Sequence, residues 1–260
     1  MMKFIADWKV KENSLLNINY CLLKLTLEGI LPEILPGQFV QIKVDHAENT
    51  FLRRPISVHY VDKENRELWL LIQIVGNGTR KLSEVKPGKT VNLIYPLGKG
   101  FSIPDTVSKN KKLLLIGGGV GIAPLFYLGT CLKEKGFAPT FLLGARTEKD
   151  LLQLNEFKKI GVVHITTENG ALGEKGFVTN HSILHAGNTD FIYTCGPKPM
   201  MAAVAGYARK FNIPCEVSLE NLMACGIGAC LCCVEKTVKG NSCVCTEGPV
   251  FNINQLTWQI

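Results

Sequence analysis

Short apolar runs broken by turn residues occupy the first hundred positions of the chain. Residues 20–27, 38–44, 67–74 and 90–94 are separated by Pro36-Gly37, Glu64-Asn65 and Pro87-Gly88. Apolar stretches of this length between turn signals predict strands, and their recurrence predicts an antiparallel barrel or sandwich. From about residue 110 the pattern lengthens. Residues 111–116 read as a buried strand, a glycine cluster follows, and 123–135 reads as a helix. Strand 140–144, helix 149–160, strands 162–166 and 190–194 and helix 198–211 continue the series. Strands alternating with helices predict a doubly wound parallel sheet. A third stretch, from about 216 onward, is dense in Cys and Gly and has little apolar content to build its own core. The expected organisation is a β domain over 1–105, an α/β domain over 106–215 and a small segment over 216–260.

That last stretch carries the most specific chemistry. Cys225, Cys230 and Cys233 follow C-x4-C-x2-C spacing, and Cys245 comes later, ahead of Gly248-Pro249-Val250-Phe251. This is the plant-type arrangement of thiolates for a [2Fe–2S] cluster. Thiolates converging on one cluster need a backbone that wraps it closely, which Gly226 and Gly228 allow. Loop amides aimed at the sulfurs tune the potential. Two other readings use the same residues. A zinc site wants C-x2-C knuckles in pairs, and only Cys230/Cys233 supplies one. A disulfide framework belongs to small secreted domains. The spacing favours the cluster, with Cys232 and Cys243 left over beside the chosen thiols and open to local exchange with them. A cluster would also staple a segment with so meagre a core.

Gly117-Gly118-Gly119-Val120-Gly121-Ile122-Ala123-Pro124 follows an expected strand and opens an expected helix. Glycines there let the backbone approach a pyrophosphate, and the helix N-terminus favours the anion. Pro124 suits a first helical turn. The run does not satisfy G-x-G-x-x-G, since Pro124 stands three residues after Gly121, so a plain strand–helix turn competes. Thr194-Cys195-Gly196-Pro197 ends a later strand, where the crevice of an open sheet takes its ligand. In the β region, Arg54-Pro55-Ile56-Ser57 sets a cation and a hydroxyl around a rigid Pro, suited to a phosphate or flavin edge. Gly76-Asn77-Gly78-Thr79 reads as a turn whose amides hold a pyrophosphate. Both are also common without a ligand. His181 and His185, spaced i,i+4 with no further ligand nearby, read as a surface or packing pair.

Composition narrows the class. At 260 residues, 46% hydrophobic and 20% charged, the chain has room for one or two ordinary globular cores. A net charge of +7, spread along the chain, does not argue for nucleic acid. The most apolar run, 113–129, is broken by Gly117, Gly118, Gly119 and Gly121, unlike a spanning helix of about 20 apolar residues. The N-terminus carries Asp7 and no long apolar stretch, so no signal peptide is expected. Ten cysteines without an export signal predict a reducing cytoplasm.

Taken in order, the Arg54–Ser57, Gly76–Thr79, Pro96-Leu-Gly-Lys-Gly-Phe101, Gly117–Pro124 and Cys195–Pro197 motifs resemble the ferredoxin–NADP reductase superfamily. That superfamily pairs an FAD-binding β-barrel with a pyridine-nucleotide domain. Adding Glu220-x-x-Met223-Ala-Cys-Gly-Ile-Gly-Ala-Cys230 and Cys245-x-x-Gly-Pro-Val-Phe251 makes the whole chain similar to one branch. The branch is the electron-transfer subunits of NAD-dependent, B-type bacterial dihydroorotate dehydrogenase. The resemblance implies FAD contacts at Arg54, Pro55, Ile56, Ser57, Leu71, Ile72, Gln73, Gly78 and Thr79. Gln73 departs from the pattern, standing where relatives often carry Arg. NAD contacts are then Gly118, Gly119, Gly121, Ile122, Ala123, Pro124, Cys195, Gly196 and Pro197. Cluster ligation falls to Cys225, Cys230, Cys233 and Cys245.

The resemblance further implies a partner subunit that holds FMN and oxidises dihydroorotate, in a heterotetramer of two plus two. Electrons would pass through the cluster to FAD and on to NAD+. A nicotinamide exchanges two electrons as hydride and a cluster one, so a flavin, able to do both, belongs between them. No catalytic base is expected in this chain. Cys195 reads either as a neighbour of nicotinamide and flavin or as a small buried residue. Two other functions fit the same scaffold. One is the flavin and cluster subunit of an NADH-dependent ferredoxin or sulfide oxidoreductase; the other is a cluster-bearing sensor without turnover.

Overall fold

The structure, a computed structural model, describes residues 2–45, 50–105 and 110–258. Strands β1 (Phe4–Asn17), β2 (Tyr20–Thr26), β3 (Phe39–Ile42), β4 (Arg54–Asp62) and β5 (Glu67–Gln73) come first. Helix α1 (Asn77–Glu84) and strand β6 (Thr90–Leu97) follow. The six strands close into a barrel in the order β1-β2-β5-β4-β3-β6, with β1 also paired to β6. Closure removes the unpaired edges that an open sheet of this size would present. Alternation along β1 shows how the sequence supports it: Trp8 and Val10 are buried, while Asp7, Lys9 and Lys11 face solvent. Those charges interrupt the apolar run, so β1 is a strand that no continuous apolar stretch announces.

One expected turn is a helix. Residues 76–79 open α1, because the Thr79 hydroxyl accepts the N–H of Val75 at 2.9 Å and of Gly76 at 3.2 Å. A capped first turn lets the helix propagate through Glu84.

The second part contains β7 (Leu113–Gly118), α2 (Ile122–Glu134), β8 (Thr140–Ala145), α3 (Leu154–Ile160), β9 (Val162–Thr167), β10 (Glu174–Lys175), β11 (Phe191–Cys195), α4 (Lys198–Lys210) and β12 (Cys215–Ser218). Next come β13 (Val234–Thr237) and β14 (Gly240–Cys243), which form a two-stranded ribbon, then α5 (Val244–Glu247) and β15 (Val250–Asn252). Seven strands make one sheet in the order β10-β9-β8-β7-β11-β12-β15. All neighbours run parallel except β15, which is antiparallel to β12. Phe157 anchors this core, edge-on to Phe126 and Phe141 at 5.1 and 5.0 Å.

The expected helix 149–160 is shortened to α3. Thr147 Oγ1 donates to Asp150 at 2.9 Å and closes a separate turn, and Gln153 then takes a left-handed φ of 54°. Side-chain bonding of this local kind competes with helix continuation.

The chain forms two compact units. The first is Met1–Gly100 with Asn221–Glu235 and Ser242–Pro249; the second is Phe101–Glu220 with Lys236–Asn241 and Val250–Ile260. The segment expected over 216–260 is thus divided: its cysteines belong to the barrel unit, and β15 completes the sheet of the other. The boundary expected at 105/106 abuts residues 106–109, outside the described residues. No helix among the described residues is long and apolar enough to cross a membrane.

His181 and His185, expected as a surface or packing pair, are separated: His185 is exposed and His181 buried. Its Nδ1 accepts the Ile183 N–H at 3.0 Å, its Nε2 lies 3.5 Å from Glu174, and its ring meets that of His164 edge-on at 5.2 Å. Burial lowers it below the ordinary 6.5; Glu174 opposes the shift and His164 adds to it. With the folded value depressed, the unfolded chain binds the proton first. Stability is therefore lost as pH falls below about 6.5 toward the folded value. Urea unfolding at pH 7.5 and pH 5.5 should show a smaller acid loss in His181→Asn than in the wild type.

Candidate functional site

The cysteines of the barrel unit gather in two thiol pairs, Cys225 with Cys230 and Cys233 with Cys245. Backbone amides aim at their sulfurs. Ile227 and Cys230 N–H each reach Cys225 Sγ at 3.4 Å, Cys232 N–H reaches Cys230 Sγ at 3.5 Å, and Cys245 N–H reaches Cys233 Sγ at 3.4 Å. Gly226 makes the wrap possible: its φ is +73°, and a Cβ there would fall 2.5 Å from Gln41 Cγ. The later strip is held to the same unit by the Lys99 N–H, which donates to Gly248 O, and by Thr246 packed on Gly228. Cys232 is exposed and Cys243 half-buried, and the four N–H···S bonds fall on Cys225, Cys230 and Cys233 instead.

Electrostatics separate the thiols. Burial raises Cys225, but the amides of Ile227, Cys230 and Ala229 and the Cys230 thiol outweigh it and bring the group to about 6. Burial, followed by the neighbouring Cys233, pushes Cys245 up to about 12. Hydrogen bonds to sulfur thus favour the Cys225 thiolate, whereas burial beside Cys233 keeps Cys245 protonated. Among the described residues no three such side chains lie close enough to hold a single metal ion, but two thiol pairs with amides directed at Cys225, Cys230 and Cys233 have the donor chemistry of an iron–sulfur cluster.

The candidate flavin residues lie in the same unit. Ile42, Gln41, Val40 and Phe39 of β3 pair with Arg54, Pro55, Ile56 and Ser57 of β4. The Arg54 guanidinium lies against Gly78, whose Cβ, if present, would sit 2.8 Å from Arg54 Nε. Thr79 lies beside Gly78 in the first turn of α1, which carries no acid. A cation over a helix N-terminus suits a pyrophosphate. Leu71 and Ile72 are buried in β5, so their side chains serve the core, whereas Gln73 is half-exposed.

In the sheet unit the strand order reverses between β7 and β11, the switch point where open sheets bind ligands. Gly118 ends β7, Gly119–Gly121 forms a single turn, and Cys195 ends β11 opposite Gly117. A Cβ on Gly121 would fall 2.5 Å from the Cys195 carbonyl and Gly196 Cα, so only glycine lets these loops touch. Ile122, Ala123 and Pro124 are buried and offer a ligand their backbone rather than their side chains. Gly196 is buried and Pro197 exposed.

Cys195 is fully buried, and its thiol meets Glu220 Oε1 at 3.8 Å. Burial first, then the Glu220 charge, holds that thiol well above its ordinary value. Glu220 is itself raised by desolvation although solvent reaches its side chain, so the effect comes from surrounding protein rather than full coverage. In the sequence Glu220 is legible only as part of the cysteine motif; its contact with Cys195 joins residues 25 positions apart.

Residues 115–206 match the model of the oxidoreductase NAD-binding domain, and 220–257 match the iron–sulfur cluster binding domain of dihydroorotate dehydrogenase B. Barrel, parallel sheet and cysteine loop therefore define an oxidoreductase subunit of the ferredoxin reductase type, with FAD, NAD and a [2Fe–2S] cluster as cofactors. The chain is 40% identical to the dihydroorotate dehydrogenase B (NAD(+)) electron transfer subunit of Lysinibacillus sphaericus, over 95% of this chain and 97% of that one. It is 42% identical to the Listeria monocytogenes serovar 1/2a subunit of the same name, over 85% and 87%. The chain belongs to the family of dihydroorotate dehydrogenase B electron transfer subunits.

A solved NADH-dependent reduced ferredoxin–NADP oxidoreductase superposes with a TM-score of 0.84 at 30% identity, covering 96% of this chain and 90% of that one. The flavohem-like FAD/NAD binding domain of a Vibrio cholerae nitric oxide dioxygenase shares the fold at 20% identity and a TM-score of 0.69, covering 81% and 97%. Membership of a family of electron transfer subunits implies a catalytic partner subunit.

Because Gly226 combines a left-handed φ with contact on Gln41, Gly226→Ala should displace the loop while leaving the barrel folded. Iron and sulfide analysis after reconstitution should find less than about half the wild-type content, with an unchanged far-UV circular dichroism spectrum.

Proposed function

We propose that this chain relays electrons from dihydroorotate oxidation, carried out in an FMN-holding partner, to NAD+. The observation that carries this reading is that the two thiol pairs share one compact unit with the Arg54–Gly78 cradle. Cys225, Cys230, Cys233 and Cys245 are the cluster ligands, and the amides of Ile227, Cys230, Cys232 and Cys245 compensate sulfur charge. Arg54, Pro55, Ile56, Ser57, Gly78, Thr79 and the β5 residues Leu71, Ile72 and Gln73 hold FAD. Gly118, Gly119 and Gly121, with the backbone of Ile122, Ala123 and Pro124 and the Cys195–Pro197 turn, hold NAD.

When bound, the cluster exchanges single electrons, the flavin one or two, and the nicotinamide a hydride. The chain's own share is to fix these groups and to present donors to developing negative charge. Cys195 stays a neutral thiol beside Glu220 and takes no part as a base, because carbon-acid chemistry belongs to the partner. The barrel over 1–105 takes FAD, the sheet over 106–215 takes NAD, and the cysteines of 216–260 take the cluster. The assembly is a heterotetramer of two plus two in the cytoplasm.

A second reading, an NADH-dependent ferredoxin or sulfide oxidoreductase subunit, draws on the 96% coverage by the solved ferredoxin–NADP oxidoreductase. Co-purification with a candidate FMN subunit separates the two. Dihydroorotate should drive NAD+ reduction by the complex, and reduction supported only by ferredoxin or sulfide would transfer the assignment to the second reading. Within the cluster site, Cys233→Ser should abolish the cluster's visible and EPR signals, and Cys232→Ser should leave them at wild-type intensity. The reverse result would move the ligand to Cys232.

A further inference from the structure

Gln41 has no exposed surface, yet neither its Oε1 nor its Nε2 has a hydrogen-bond partner among the described residues. A buried carboxamide left wholly unpaired is unfavourable, and natural folds keep few of them. Its surroundings restrict what can complete it. On the backbone, Gln41 pairs with Pro55 of β4 and with Ile94 of β6, so it cannot swing away from the barrel wall. Its carbonyl accepts Arg53 Nη1 at 3.2 Å, and the same guanidinium binds Asn92 O at 2.9 Å and Asn92 Oδ1 at 2.6 Å. Its side chain lies on Gly226: a Cβ there would be 2.5 Å from Cγ, 2.9 Å from Nε2 and 3.1 Å from Cδ. Gly226 follows Cys225 directly, and the next amide, Ile227, already donates to Cys225 Sγ at 3.4 Å. A buried, unused N–H donor therefore stands beside the loop residue that adjoins a candidate cluster sulfur.

We propose that Gln41 is a positioning residue for the iron–sulfur centre, its Nε2–H donating to a sulfur on the Cys225 side of the cluster. This rests on the assignment of Cys225 as a ligand. Reduction adds one negative charge to the cluster, and a donor to sulfur stabilises the more negative state. Gln41 thus raises the reduction potential. A glutamine supplies this donor without a net charge, so it leaves the oxidised cluster nearly undisturbed. The strand that carries it also carries the pairing partners of the candidate flavin residues Arg54–Ser57, so one strand bears on both redox sites.

The test uses the full chain reconstituted with cluster and FAD, titrated potentiometrically while EPR follows the cluster apart from the flavin. Gln41→Met keeps the side-chain volume and removes the donor; Gln41→Leu removes it with a different apolar shape. The Met variant should lower the cluster's reduction equilibrium constant about tenfold, which is about 59 mV for a one-electron couple. The Leu variant should lower it by a similar factor, with shifted g-values in both and iron content as in the wild type. A wild-type midpoint in either fully loaded variant overturns the proposal. Loss of the cluster from both variants would show that Gln41 only packs the loop, and overturns it equally. A wild-type chain with no cluster signal would instead remove the ligand assignment, a failure visible before any variant is made.

Discussion

Holding two thiol pairs, Cys225 with Cys230 and Cys233 with Cys245, in one compact unit sets an electrostatic problem, because a thiolate formed beside a second thiol makes the next harder to form. The barrel unit meets it with backbone. Four amides point at Cys225, Cys230 and Cys233, and the loop bends through Gly226 at a φ that favours glycine. The result is asymmetric, with Cys225 near 6 and Cys245 near 12. Cys225, Cys230, Cys233 and Cys245 would hold a cluster whose iron charge would compensate the thiolates, and its binding would hold down a loop with little apolar core. The neighbouring strand then matters in its own right. Gln41 is buried where the loop closes on the barrel, and its orphaned carboxamide is a second sign that a polar group completes this corner.

The nucleotide sites solve a related problem with the opposite charge. A pyrophosphate needs donors that are already fixed, and both candidate sites supply them at the start of a helix. In the barrel unit that helix is α1, capped by Thr79 and faced by Arg54. In the sheet unit it is α2, reached through a glycine turn so close to Cys195 and Gly196 that a single methyl group would not fit. Division of the cofactors between two units follows the chemistry. The candidate cluster and flavin residues share the barrel unit, and the candidate NAD residues lie in the sheet unit.

Much of this was legible in the primary structure. The C-x4-C-x2-C spacing is local, so the chain states it outright. The alternation after residue 110 marks four strands of the sheet, β7, β8, β9 and β11, to within two residues, because buried parallel strands read as continuous apolar runs; the short strands β10, β12 and β15 carry no such run. Legibility failed where a polar side chain redirected the backbone. Thr79 turned an apparent loop into α1, and the Thr147–Asp150 bond with Gln153 broke one expected helix into a turn and a shorter helix.

What the sequence determined by itself was therefore the inventory: a β region, an alternating α/β region, and thiols at cluster spacing. Those depend on periodicity and on neighbours a few residues apart, which are written along the chain. The tertiary structure alone decided how the last segment is shared, with its thiols in the barrel unit and β15 added antiparallel to β12. It also decided that Cys233 pairs with Cys245, that Glu220 reaches Cys195, and that Gln41 lies on Gly226. Each of these contacts joins residues that are distant in sequence. Their meeting follows from closure of the barrel and sheet, which no local pattern of side chains encodes.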